Sequence, residues 1–127
     1  MRAVLDDYLK RISRACAIEV SEVRDSEAAE KKLDADRAAL AVLLDAGGKA
    51  WSSEGFAKWL GELRDGGTRE VIFVCGDADG FSDELRERVK QKFALSAMTY
   101  SHELARVMLA EQIYRAFAIL SGSAYPK

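Results

Sequence analysis

Proline and histidine each occur once in this chain of 127 residues, and cysteine only twice. With one proline and 31% charged residues, the composition excludes a collagen-like chain and disagrees with a disordered one. Cys16 and Cys75 lie far apart and no secretory feature accompanies them, so a disulfide scaffold is not expected and the thiols should be reduced. Cys16, Cys75 and His102 lack metal-ligand spacing, which removes the usual zinc arrangements. His102 has no serine or cysteine in an elbow such as Gly-x-Ser-x-Gly to activate, so triad hydrolysis is not indicated, and a place at the start of a helix is the expected role. Long apolar runs are also missing. Nothing approaches the roughly 18 residues that span a bilayer, and the opening MRAVLDDYLKR carries acid where a signal peptide keeps an apolar stretch. The expected location is the cytoplasm. Nineteen basic against 21 acidic residues leave a net charge of -2, without the basic excess of proteins that hold nucleic acid by phosphate contacts alone. An RNA-acting protein of this balance must gather its positive charge locally.

With 49% hydrophobic residues, the length suits one domain over residues 1–127 and is short for two. Val4, Leu5, Tyr8, Leu9 and Ile12 recur at helical spacing between charged residues, which predicts an amphipathic helix. Cys16, Ile18 and Val20 alternate with smaller or polar residues, which predicts a half-buried strand. Residues 26–37 read as an exposed helix or ordered loop. Residues 39–44 form a continuous apolar run, a strand buried on both faces that should end in the glycine turn at 45–49. Ser52 and Ser53 then open a helix with Phe56, Trp59, Leu60 and Leu63 as its apolar stripe, ended by Gly66 and Gly67. Residues 71–75 predict a second buried strand, 76–80 a loop, and Ser82 the start of a helix to about Lys90. A short strand is expected at 93–96, followed by a long helix from about His102 to Ser121. That helix carries Leu104, Val107, Met108, Leu109, Ile113, Tyr114, Phe117 and Leu120 on nearly all sides, so a partner subunit is its expected cover. The alternation of strands and helices predicts an α/β fold with a mostly parallel sheet.

Two glycine-containing loops, 45–49 and 76–80, each follow a buried strand, where ligands of open α/β sheets bind. Neither fits a dinucleotide or nucleoside triphosphate loop, and ordinary turn glycines explain them equally well. Residues alone therefore stop at an α/β domain with a candidate crevice.

Three segments go further. Leu95-Ser-Ala-Met-Thr-Tyr-Ser-His-Glu-Leu-Ala-Arg-Val-Met-Leu-Ala-Glu-Gln-Ile-Tyr-Arg-Ala-Phe-Ala-Ile-Leu-Ser-Gly-Ser-Ala-Tyr125 resembles the C-terminal signature of the RlmH family of SPOUT methyltransferases. Leu44-Asp-Ala-Gly-Gly-Lys-Ala-Trp-Ser-Ser-Glu54 and Phe73-Val-Cys-Gly-Asp-Ala-Asp-Gly80 resemble, in order and spacing, the loops after two of its strands. The resemblance implies a SPOUT-type α/β domain with helices on both faces of the sheet, a C-terminal trefoil knot and a homodimer. It implies methyl transfer from S-adenosyl-L-methionine to N3 of a pseudouridine in 23S, large-subunit ribosomal RNA, with the assembled ribosome the better fit to a charge of -2. By the same resemblance Leu44, Cys75, Gly76, Leu95, Ser96, Ala97, Met98, Thr99 and Tyr100 would hold the cofactor, and His102, Arg106, Arg115 and Tyr125 would lie near the chemistry. Arg106 and Arg115 either hold an RNA phosphate or the cofactor carboxylate, or pair with Glu103 or Glu111. The chain departs from the family's pattern at Cys75, where a glycine is usual, at its Tyr125-Pro126-Lys127 tail, and in lacking the family's opening strand. The altered loop and tail make a non-catalytic RNA- or cofactor-binding relative the rival expectation.

Overall fold

The computed structural model describes residues 2–76, 80–96 and 101–122. In chain order the elements are α1 (Arg2–Ile12), α2 (Ser26–Ala35), β1 (Leu40–Ala50), α3 (Ser53–Asp65), β2 (Val71–Cys75), α4 (Asp83–Arg88), β3 (Gln91–Ala94) and α5 (His102–Leu120). The three strands form one parallel sheet in the order β2-β1-β3.

Each helix start described with a cap has the same local cause. A short polar side chain accepts a backbone N–H that the first turn leaves free. Asp25 Oδ1 accepts from Ala28 N at 2.9 Å, Ser52 Oγ from Gly55 N at 3.0 Å, Ser82 Oγ from Leu85 N at 3.2 Å and Ser101 Oγ from Leu104 N at 3.3 Å. The cap of α5 is thus Ser101, and His102 is its first helical residue. α3 ends at Gly66, and Gly67 follows at φ +88, a left-handed conformation open to glycine without steric penalty.

Strand alternation sorts the side chains onto two faces. Leu40, Val42 and Leu44 of β1, Val71, Phe73 and Cys75 of β2, and Phe93 and Leu95 at the end of β3 pack with α1, α3 and α5. Ala41, Leu43, Ile72 and Val74 pack with α2 and α4. Helices therefore cover both faces, as expected. On the first face Phe56 stacks on Phe93 with ring centroids 5.0 Å apart, a pairing that adds to the burial of both rings. On the second, Arg88 Nη2 lies 2.6 Å from Asp34 Oδ1 and joins α4 to α2.

Four expectations are corrected. Residues 16–23 pair with no strand of the sheet; Cys16 and Val20 are exposed and only Ile18 reaches the core, so alternation had no neighbour to pair with. The strand at 71–75 forms but lies at the edge of the sheet, half-buried along its length rather than enclosed. The apolar run at 39–44 is the central strand, yet it does not end in a turn: Leu44 and Lys49 both pair with Phe93, and residues 45–48 bulge out between them. The strand then resumes to Ala50. β3 also begins two residues earlier than the pattern suggested.

Gly48 explains the return from the bulge. A Cβ there would meet Lys92 C at 2.7 Å and Phe93 N at 2.8 Å, so only a residue without one lets the bulge close onto β3. Gly48→Ala is expected to destabilise the fold by about 1–3 kcal/mol, the usual range for overpacking. Gly47→Ala, where a Cβ would touch only Asp45 Oδ2 at 3.6 Å, should change stability by less than about 0.5 kcal/mol. Urea midpoints of the two variants check this, and equal midpoints would contradict the close approach.

Candidate functional site at the strand ends

The parallel register brings the carboxyl ends of β2 and β3 alongside β1, where Leu44 is the last residue before the bulge. Leu44 pairs with Cys75 on one side and with Phe93 on the other, and Leu95 follows Phe93 by two residues. Because the three strands run in phase, Leu44, Cys75 and Leu95 all face α5, half-buried against the larger core. Three of the sequence-predicted cofactor residues therefore lie on the same face of the sheet, although they are as many as 51 positions apart in the chain (95 − 44).

Cys75 adopts ordinary strand geometry, and among the described residues no residue other than glycine has positive φ. A side chain at this position is accommodated without backbone strain. Burial pushes the Cys75 thiol up to about 11, with the Arg106 charge pulling weakly the other way. The neutral thiol is the form that packs. Gly76 answers to a neighbour in the same chain: a Cβ there would lie 3.0 Å from the Phe81 ring. Ser96 is half-buried. Residues 97–100, on which the Ala97, Met98, Thr99 and Tyr100 expectations and the knot expectation fall, lie outside the described residues, as does Tyr125.

Arg106 is the cation of this site. Its side chain is 21% exposed, Nη1 lies 3.2 Å from Glu22 Oε1, and its buried Nε finds no acceptor among the described residues. It pairs with neither Glu103 nor Glu111. Arg115 does take the bland alternative, with Nε and Nη2 at 3.1 and 2.8 Å from Glu111 Oε2. Nine residues at 100° each set Arg106 and Arg115 on opposite sides of α5, about 13 Å apart along its axis. One chain cannot bring both to the same ligand.

Sequence reasoning missed two other participants. Asp45, inside the bulge, accepts from Arg86 Nη1 at 2.7 Å and Nη2 at 3.3 Å, and this fork anchors the segment that follows Leu44. Glu22 meets Arg106 across 84 positions of chain. No spacing rule links either pair, so no signal in the sequence could have found them. A cleft of about 460 Å³ also reaches Leu95, running between α1, α5 and the start of α3, with Tyr8, Trp51, Phe93 and Met108 among its walls. Ser53 Oγ donates to Gln112 Oε1 at 2.8 Å across its floor.

Apolar walls at the ends of parallel strands, with one guanidinium whose buried donor lacks an acceptor among the described residues, suit a ligand with an apolar body and a carboxylate or phosphate. A family profile described as "Predicted SPOUT methyltransferase" matches residues 1–126, and the chain belongs to that family of methyl-transferring α/β proteins. Its relatives include proteins named "Ribosomal RNA large subunit methyltransferase H". That of Geotalea daltonii is 39% identical over 98% of this chain and 89% of its own length. Those of Koribacter versatilis and Geobacter sulfurreducens are 40% and 37% identical, each over 98% of this chain and 87% and 89% of their own. The RlmH-type resemblance is thereby borne out. Membership implies a methyl-donor cofactor. Among the described residues no helix is long and apolar enough to cross a membrane, and no group of three or more His, Cys, Asp and Glu residues is arranged to hold a metal.

The Cys75 shift has a stability consequence. The folded thiol holds its proton to about pH 11 while the unfolded one releases it near 9, so this contribution is complete below pH 9 and is lost as pH rises towards 11. Stability of the wild type minus that of Cys75→Ala, measured by urea unfolding, should fall across that window. A flat difference would contradict the buried thiol.

Proposed function

We propose that this chain is an S-adenosylmethionine-dependent methyltransferase that modifies N3 of a pseudouridine in 23S ribosomal RNA. The observation that carries the reading is the placement of Leu44, Cys75 and Leu95 on one face of the sheet, with the Arg106 charge acting on Cys75 and no acceptor for the buried Arg106 Nε among the described residues, in a chain 39% identical to a ribosomal RNA large subunit methyltransferase H. Residues 1–127 form a single SPOUT domain in this reading. The fold in this reading includes a C-terminal trefoil knot, and the protein works in the cytoplasm as a homodimer on the assembled large subunit.

When bound, S-adenosylmethionine supplies a methyl group already activated by its sulfonium, so positioning contributes much of the rate. Leu44 and Leu95 would cover the apolar parts of the cofactor, and the backbone at Cys75, Gly76, Ser96 and the Ala97, Met98, Thr99 and Tyr100 run would hydrogen-bond its polar edge. The Arg106 guanidinium would hold a carboxylate or phosphate oxygen. His102 and Tyr125 are proposed beside the acceptor base, whose N3 proton must leave, and Tyr125 would serve the partner's site. Arg115, on the opposite side of α5 from Arg106, would likewise act across the dimer.

Support for a dimer is narrower than the helix pattern alone suggested. α1 and α3 cover much of α5 within the chain, and its exposed large apolar residues are Leu104 and Ile119, at 36% and 37%. The charge of -2 favours a folded ribosomal surface over free RNA.

Calorimetry with S-adenosylmethionine should give a measurable Kd, and absence of binding at millimolar cofactor would sink the reading. Labelled methyl should pass to large subunits that carry the pseudouridine and lack its methyl. Binding without transfer would instead favour a non-catalytic relative. Arg106→Lys should lower kcat/KM by roughly 10- to 100-fold, the range expected for losing a charge-assisted fork.

A further inference from the structure

We propose that Glu22 is an internal anion, held on Arg106 in the place that a carboxylate or phosphate of the ligand takes, and released when that ligand binds. The chemical identity of the ligand rests on the methyltransferase reading; the displaceable contact rests on geometry.

The two partners are unequal. Arg106 is fixed on a 19-residue helix and is 21% exposed, while Glu22 is 71% exposed. Glu22 belongs to residues 16–23, which have no helix or strand and of which only Ile18 is packed into the core. An ion pair of this exposure is weak, too weak to hold the segment against a better partner for the guanidinium. The contact is also incomplete. Glu22 reaches Nη1, and among the described residues nothing accepts from the buried Nε. A planar anion meeting the Nε edge would make the two parallel hydrogen bonds that Glu22 does not, and would relieve a donor whose isolation carries a penalty of its own. The location fits a competitor for ligand: Arg106 acts electrostatically on Cys75, which pairs with Leu44 at the strand ends.

A merely structural ion pair gives the opposite sign. If Glu22 serves only to dock its loop, removing its charge leaves ligand binding unchanged or weaker. If it competes, removing its charge tightens binding.

Glu22→Gln is suited to the test because its exposure leaves the fold intact. S-adenosylmethionine and its decarboxylated analogue are titrated by calorimetry into the wild type, Glu22→Gln, and Glu22→Gln combined with Arg106→Gln. In parallel, KM for large ribosomal subunits is measured for the wild type and Glu22→Gln. If a cofactor carboxylate displaces Glu22, the single variant binds S-adenosylmethionine about two- to fivefold tighter, shows no gain for the decarboxylated compound, and loses the gain in the double variant. If an RNA phosphate does so, KM for the subunits falls by a similar factor at unchanged cofactor Kd. Either result supports displacement and names its source. Equal gains for both cofactor compounds overturn it, because the effect then ignores the carboxylate. Unchanged or weaker binding in every arm also overturns it and leaves the methyltransferase reading standing, since the wild type still binds and turns over. A wild type that neither binds cofactor nor transfers methyl overturns both.

Discussion

The sheet and the strand-end site depend on how β1 passes its own bulge. As the central strand, β1 buries Val42 on one face and Leu43 on the other and pairs with both neighbours. An aspartate could not continue that run into the core without a partner. The chain solves this by leaving the ladder after Leu44, giving the Asp45 carboxylate to Arg86, and returning through Gly48 directly onto the backbone of β3. Leu44 is thereby the last residue before the excursion, held between Cys75 and Phe93. The bulge both terminates one buried segment and re-aims the chain into α3, the re-aiming role that bulges take beside functional sites.

α5 is the second organising element. Its small residues Ala110 and Ala116 are buried in the core shared with α1 and α3, and Gly61 of α3 lies where a side chain would meet Leu120. The same helix carries the two arginines that the resemblance put near the chemistry, and its pitch separates them. Arg106 turns to the strand ends, where it lacks an acceptor for Nε. Arg115 turns away and is engaged by Glu111. A shared role for both needs a second chain to supply one of them, which ties the proposed dimer to function through geometry rather than through exposed apolar area.

The legible parts of this protein were those governed by local rules. The positions of three strands, serine at helix starts, glycine after α3 and the all-round apolar character of α5 each follow from interactions within a few residues, and each was readable from residue order. The ordered resemblance of the segments at 44–54, 73–80 and 95–125 carried the family. What misled was periodicity without a partner: Cys16, Ile18 and Val20 alternate as a strand does, but a strand exists only when another supplies its hydrogen bonds.

From the sequence alone came the fold class and the family, because apolar period and segment order are properties of the chain itself. Tertiary structure alone decided that the glycines at 47 and 48 lie in a bulge rather than a terminal turn, that the residue 71–75 strand is an edge, that Asp45 belongs to Arg86, and that Arg106 faces Glu22 with its Nε unsatisfied. The physical reason is common to all four. Each depends on a neighbour at least 31 positions away (71 − 40), and such distances are set by packing, which no local pattern encodes.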